Sequence, residues 1–231
     1  MSPFKSIAID GPAGAGKSTI AKKVAETLGY VYIDTGAMYR AIAYECIRKN
    51  INIKDEEAIN TLCSNIDIII QYVDGEQQVL LNNENVTHYI RTTEVGNVTS
   101  QISVYHNVRK KLVELQQKLA HQANVIMDGR DIGTYVLPNA NLKIFLTASI
   151  EQRAQRRWKE LNDKGDQTQL KTLEAQIKER DYNDMNRKIA PLKKAEDAIE
   201  VDTSNMSIEE VVKKVISLYN KRIVENGNSN G

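Results

Sequence analysis

Short, continuous apolar runs alternate along the chain with longer stretches whose apolar residues recur every fourth position. Ser6-Ile7-Ala8-Ile9-Asp10 reads as a brief buried strand. After a glycine-rich interval, Ile20, Val24 and Leu28 predict one face of a helix, with Gly29 as its stop. Residues 30–33 predict a second strand, and Asp34-Thr35-Gly36 opens a helix through Tyr39, Ile42 and Ile47. Apolar runs at 125–128 and 142–146 return as parallel-type strands. A short strand at 199–201 precedes the capping-box string Ser207-Ile208-Glu209-Glu210 and a terminal helix. Strands alternating with helices predict an α/β fold, a doubly wound parallel sheet with helices on both faces.

Two segments break this rhythm. Residues 66–72 and 78–81, separated by Asp74-Gly75-Glu76, predict a β-hairpin, which parallel α/β folds seldom carry in mid-course. This marks 62–100 as an inserted β-rich subdomain. A long amphipathic helix is expected next, with Val104, Val108, Leu112, Leu115 and Leu119 on one face. The segment 149–192 is helical, densely charged and interrupted near 162–166, as at the tip of a mobile helical hairpin. The expected division is a core of 1–61, 101–152 and 185–231, the insert at 62–100, and a helical lid at 153–184. The polar tail 225–231 is expected to fray.

The glycine-rich interval is Gly11-Pro12-Ala13-Gly14-Ala15-Gly16-Lys17-Ser18-Thr19, a full match to the phosphate-loop pattern. It follows an apolar strand and opens an amphipathic helix, the context the pattern requires. Glycines let the backbone curl around phosphates, and the helix that starts at Lys17 adds its positive end. Lys17 is placed to reach the β- and γ-phosphates, and the Ser18 hydroxyl to ligate Mg²⁺ directly, with Thr19 as the neighbouring alternative. Asp128, at a strand end, either reaches Mg²⁺ through water or serves as a structural cap. This interval alone establishes nucleotide binding. It leaves the reaction open.

Composition narrows the partners. Thirty-one basic side chains against 30 acidic ones, with two Phe and one Trp, disfavour nucleic acid as a bulk partner. Cys46 and Cys63 are too few for a disulfide framework or zinc site, and His88, His106 and His121 lack ligand spacing. Cys46 reads as a core residue. Neither a signal-peptide pattern nor a membrane-spanning apolar run is visible, so a cytoplasmic protein without a membrane partner is expected. No helix offers a sustained heptad seam, and a monomer is expected.

Further strings carry a resemblance. Together with the phosphate loop, Asp34-Thr35-Gly36-Ala37-Met38-Tyr39-Arg40, Asp128-Gly129-Arg130-Asp131-Ile132-Gly133-Thr134, Ile144-Phe145-Leu146-Thr147-Ala148-Ser149 and Glu179-Arg180-Asp181-x-x-Asp184-x-Asn186-Arg187-x-x-Ala190-Pro191-Leu192 run in order over almost the whole chain. In these the chain resembles the bacterial-type cytidylate kinases, in which ATP phosphorylates CMP or dCMP with Mg²⁺ as cofactor. The resemblance implies that Arg40, Arg130 and Arg187 hold the CMP phosphate. It implies that Thr35, Ser100, Arg109 and Asp131 face the cytosine, and that Arg180 and Asp184 reach the ribose. A carboxylate at Asp131 also has its own logic, since it accepts from the amine of cytosine and repels the carbonyl of uracil. Arg153, Arg156 and Arg157 share a helical face on the lid; one is expected to be the transition-state cation, and Lys17, Arg130, Arg153 and Arg157 form the expected catalytic set. The competing readings are a kinase for another monophosphate such as UMP, or a non-catalytic ATP-binding module.

Overall fold

A computed structural model describes residues 3–163 and 165–228, with side chains to 224. The described residues form two compact units, one of 3–32 with those between 120 and 228, and the other of Ile33–Leu119.

The first unit is built on parallel strands. β1 (Ser6–Asp10) pairs with β6 (Val125–Gly129) on one side and β7 (Leu142–Thr147) on the other, and β7 pairs with β8 (Ile199–Asp202), all parallel. With β2 (Val31–Asp34) the sheet order is β2-β6-β1-β7-β8. The doubly wound arrangement read from the alternation is therefore what the chain builds. β1 lies between strands that follow it by more than a hundred residues, so the order reverses around it. Ligands of such sheets bind at the carboxyl ends of the strands flanking that reversal.

Packing follows from the spacing of apolar residues. α1 (Lys17–Leu28) buries Ile20, Ala21, Val24 and Ala25, which join Ile7, Ile9, Ile126, Ile144 and Leu146 of the sheet. α8 (Ile208–Asn228) adds Val211, Val215 and Tyr219 to the same cluster. Gly29 ends α1 in the left-handed region at φ 67°, and the N–H groups of Gly29 and Tyr30 both return to the Ala25 carbonyl. The capping box forms as read: the Ser207 N–H donates to Glu210 Oε2 at 2.8 Å, and the Glu210 N–H to Ser207 Oγ at 3.3 Å. α8 continues to Asn228, so 225–228 extend the helix where a frayed tail was expected. Ser229, Asn230 and Gly231 lie outside the described residues. The charged segment forms two antiparallel-connected helices, α6 (Ile150–Asn162) and α7 (Leu170–Asn186), packed through Ala154, Leu173 and Ile177. Lys164, within the interruption, lies outside the described residues.

The second unit carries α2 (Thr35–Arg48), α3 (Glu56–Asn65), the antiparallel strands β3 (Ile68–Val73), β4 (Glu76–Leu81) and β5 (Glu84–Asn85), α4 (Thr93–Ile102) and most of α5 (His106–Ala120). β3 and β4 form the expected hairpin, turned by Asp74 and Gly75, both at positive φ. Three features differ from the sequence reading. The second strand ends on Asp34, whose carboxylate then caps α2 by accepting from the Ala37 N–H at 3.0 Å. α3 was not read, although Asp55-Glu56-Glu57 carries its cap and acidic first turn. The long helix expected from Val104 starts only at His106, and a separate helix precedes it: α4 ends at Ile102, where the Ser103 hydroxyl donates to the Ser100 carbonyl, and Val104 stands 43% exposed between the two. The apolar face holds only from Val108 and Leu112 onward. Cys46 and Cys63 are both buried free thiols. None of the helices, among the described residues, is long and apolar enough to cross a membrane.

Candidate nucleotide site

The phosphate loop occupies the carboxyl end of β1. Gly11, Gly14 and Gly16 take φ of 150°, 76° and 88°, regions that L side chains rarely adopt. A Cβ at Gly11 would lie 1.9 Å from the Leu146 carbonyl oxygen, so the strand-to-loop turn is possible only because β1 and β7 approach with nothing between them. Gly16 is the N-cap of α1, and Pro12 and Ala15 are buried while Ala13, Gly14, Ser18 and Thr19 reach the surface in varying degree.

Lys17 is buried, and its Nζ donates to the Pro12 carbonyl at 2.8 Å. Burial, followed by the charge of Arg130, pushes its pKa down to about 7, with Arg180 acting the same way and Asp128 and Asp10 opposing. The Ser18 hydroxyl donates to Asp128 Oδ2 at 2.9 Å, and the Tyr32 hydroxyl to Oδ1 at 2.8 Å. Asp128 thus comes from the end of β6 to the Ser18 hydroxyl, with its second oxygen fixed by a residue of β2.

Beyond β6 lie Arg130 and Asp131, each tied to the end of α7. Arg130 Nε donates to Asp184 Oδ2 at 2.7 Å, and Arg187 Nη2 to Asp131 Oδ1 at 3.1 Å. Burial works against the Arg130 charge, but Asp184 holds its pKa above the usual guanidinium range. Burial likewise works against the Asp184 carboxylate, which Arg130 holds below the ordinary range. Arg187 is anchored in turn by Nε, which donates at 2.5 Å to the carbonyl of Ala190, a residue at φ 46°. Arg180 is half-buried on α7, one turn before Asp184. The first unit therefore gathers Lys17, Arg130, Arg180 and Arg187 among Asp10, Asp128, Asp131 and Asp184, a local network in which basic and acidic side chains are matched in number.

The three lid arginines have different surroundings. Arg153 is 4% exposed, and its guanidinium donates to the carbonyls of Ala148 and Ala13 and to Asp181 Oδ2 at 2.9, 3.0 and 2.6 Å. Arg156 donates to the Thr203 hydroxyl and carbonyl at 3.1 and 2.7 Å. Arg157 lies on the surface, paired with Glu160 at 3.3 Å. Arg153 →Ala is expected to cost roughly 3–5 kcal/mol, because it strands the Asp181 carboxylate in the interior. Denaturant unfolding measures this; a loss under about 1 kcal/mol would mean the pair contributes little.

In the second unit, Thr35 is buried in the first turn of α2 and Arg40 lies one turn further on. The Arg40 guanidinium sits against Gly96 of α4, where a Cβ would come within 3.3 Å of Nη1. Ser100 follows Gly96 by one turn and is half-buried. Arg109 is 2% exposed, with its guanidinium 5.8 Å above the Tyr39 ring and Nη1 donating to the Ser103 carbonyl at 3.4 Å. Arg40, Gly96, Ser100 and Arg109 thus come from the packed pair α2 and α4 and the start of α5.

Sequence reasoning gave no role to Asp10, Tyr32, Asp181 or Thr203. Asp10 had a signal: a carboxylate closing a strand that is otherwise wholly apolar and leads into a phosphate loop. The others are recognisable only through partners far away in sequence.

A glycine-rich loop at the switch point of a parallel sheet, with a buried lysine and a serine–aspartate pair, defines a P-loop nucleotide-binding protein. In fold it is similar to a gluconokinase from Sinorhizobium meliloti 1021, with a TM-score of 0.52 at 14% identity over 100% of this chain and 99% of that one. The cytidylate kinase family model matches residues 7–221, and the chain belongs to that family. It is 55% identical over 218 residues to a cytidylate kinase of Caldicellulosiruptor saccharolyticus, covering 94% of this chain and 96% of the relative. It is 53% identical over 218 residues to one from Listeria innocua, with the same coverage.

Proposed function

We propose that the protein transfers the γ-phosphoryl group of ATP to the phosphate of CMP or dCMP, giving ADP and CDP or dCDP. Membership of the cytidylate kinase family over nearly the full chain carries this reading. The gathering of Lys17, Arg130, Arg180 and Arg187 in one unit supports it independently, because two polyanionic nucleotides must be brought together against their repulsion by basic groups held in place.

The bond between the γ-phosphorus and the β–γ bridging oxygen breaks, and one forms to an oxygen of the CMP phosphate. That oxygen is already anionic, so no general base is required. Lys17 neutralises the β- and γ-phosphates. Arg130 and Arg187 take the CMP phosphate, and the family motif that carries Arg40 gives it the same role. Asp131, oriented by Arg187, accepts from the cytosine amine. Thr35, Ser100 and Arg109 line the base, and Arg180 and Asp184 serve the ribose. Arg153 anchors α6 to the phosphate loop through Ala13 and Arg156 is bound to Thr203, which leaves Arg157, exposed on the same helix, as the cation that meets the transferring group.

The oxygen donors at the loop fit Mg²⁺. Ser18 supplies a hydroxyl beside the Asp128 carboxylate, and Mg²⁺ takes few protein ligands and keeps water and phosphate oxygens for the rest. Ser18 would be its direct ligand and Asp128 would act through water; Mg²⁺ supplies charge neutralisation on the phosphates. The hairpin-bearing segment 62–100 is proposed to serve the acceptor.

The test is an ADP-coupled assay over a panel of monophosphates. CMP and dCMP should be turned over best. Equal turnover of UMP or AMP would remove the cytidine assignment, and ATP binding without acceptor-stimulated turnover would indicate a non-catalytic module. In the same assay Asp131→Asn should lower the CMP-to-UMP ratio of kcat/KM by roughly 10- to 100-fold, the worth of one good base contact. An unchanged ratio would mean that Asp131 does not read the base.

A further inference from the structure

Asp10 lies at the end of β1, immediately before Gly11, and is 5% exposed. Its two carboxylate oxygens are taken by the turn that follows Asp131. Oδ1 accepts from the Ile132 N–H at 2.8 Å and Oδ2 from the Gly133 N–H at 2.7 Å. These are the first two amides of a single π-helical turn, Ile132–Val136, which has no side-chain cap from Asp131 itself. A carboxylate accepting two successive backbone N–H groups is a charge-assisted clamp, stronger and more directional than a neutral contact.

The turn is confined further at Gly133. A Cβ there would meet Lys143 Cδ at 3.1 Å and Asp10 Oδ2 at 3.3 Å. Lys143 is itself held, with Nζ on Asp197 Oδ1 at 2.8 Å. The turn is therefore packed against a carboxylate and a lysine stem that both belong to the sheet. Asp131 adopts φ −146° and ψ 25° at the head of this turn, and its side chain leaves the backbone one residue before the two clamped amides.

We propose that Asp10 is a specificity-determining positioning residue, which fixes the 131–133 backbone so that the Asp131 carboxylate is presented to the acceptor base at one angle. The inference rests on the reading of Asp131 given above. Burying a carboxylate here is costly: burial raises the Asp10 pKa from 3.8 to about 6, the two amide bonds work the other way, and Asp131 adds repulsion. Two adjacent buried N–H groups need two acceptor oxygens from one side chain, which a carboxylate supplies and a neutral amide does not. Retaining an acidic residue makes sense where two N–H groups must be held rigidly.

Asp10→Asn keeps the size of the side chain but turns one acceptor into a donor facing an N–H. The expected result is a KM for CMP raised about tenfold and a CMP-to-UMP ratio lowered by a similar factor. The affinity for ATP, measured by calorimetry, should change less than twofold, and the melting temperature should fall by only a few degrees. Gly133→Ala crowds the same turn against Asp10 and Lys143, and it should give the same split between CMP and ATP. It decides the matter if Asp10→Asn does not fold. Asp131→Asn is measured alongside. If it alters the ratio while Asp10→Asn and Gly133→Ala leave CMP handling within twofold of the parent, the positioning role is overturned and the base-reading role of Asp131 stands. If Asp131→Asn changes nothing, the base-reading role fails and the inference falls with it. Equal losses of ATP and CMP affinity in both turn variants would also overturn it, because they would indicate general loosening of the loop region.

Discussion

Lys17→Met is expected to leave a folded protein whose turnover of ATP and CMP falls by roughly 10³-fold or more, the scale of losing a transition-state charge contact. The fold should persist because the lysine is an electrostatic burden in the protein without nucleotide. It is buried, it has the Pro12 carbonyl as its recorded acceptor, and Arg130 and Arg180 act on it as like charges. Methionine has nearly the same length and no charge to bury, so the melting temperature should hold or rise. The sign of the linkage follows from the same facts. Burial depresses the Lys17 pKa to about 7, and bound phosphates would raise it again. Nucleotide binding should therefore take up a proton near pH 7, and ATP affinity should weaken as pH rises above that value. Calorimetry in buffers of different ionisation enthalpy would show the uptake in the parent and a smaller one in Lys17→Met. Near-normal turnover by the variant would contradict the phosphate-loop mechanism.

Gly11→Ala should be nearly as damaging, through geometry instead of charge. The added methyl would sit 1.9 Å from the Leu146 oxygen and 3.0 Å from its carbon, backbone atoms of a central strand that cannot swing aside. The residue is also at φ 150°, where alanine is strained. Strain and overpacking together are expected to cost ~3 kcal/mol or more, and ATP affinity should fall at least ~100-fold because the loop begins at this residue. Gly29→Ala is the control. Its φ is also positive, at 67°, but nothing lies within 4 Å of the added Cβ. It should cost about 1 kcal/mol and leave catalysis alone. Equal behaviour of the two variants, by denaturant unfolding and ATP titration, would show that the contact with β7 is not what makes glycine necessary at Gly11.

Much of the fold was legible because its signals are local. The spacing of Ile20, Val24 and Leu28 within α1, the Asp74-Gly75 turn and the Ser207–Glu210 capping box each lie within a few residues. Periodicity and turn chemistry act at that range. The later start of α5 and the presence of α4 before it are less legible. Val104 keeps the apolar spacing, but the Ser103 hydroxyl bonds the Ser100 carbonyl where α4 ends, and the pattern of hydrophobic residues does not register that. Likewise, sharing a helical face was a poor guide to the lid arginines. Arg153 is an interior clamp, Arg156 is bound to Thr203, and Arg157 is exposed.

By itself, then, the sequence determined the alternation of strands and helices, the phosphate loop with Lys17 and Ser18, and the ordered motifs of the family. These depend on backbone preferences and on residues adjacent in the chain. Only the tertiary structure decided how the acidic residues are used. Asp128 meets Ser18 across 110 positions, Asp184 meets Arg130 across 54, and Asp10 meets Ile132 across 122. Each of those pairings depends on which strand lies beside which and in what register. A carboxylate buried in the interior takes its role from the donor that reaches it, and that donor is known only once the sheet has been assembled.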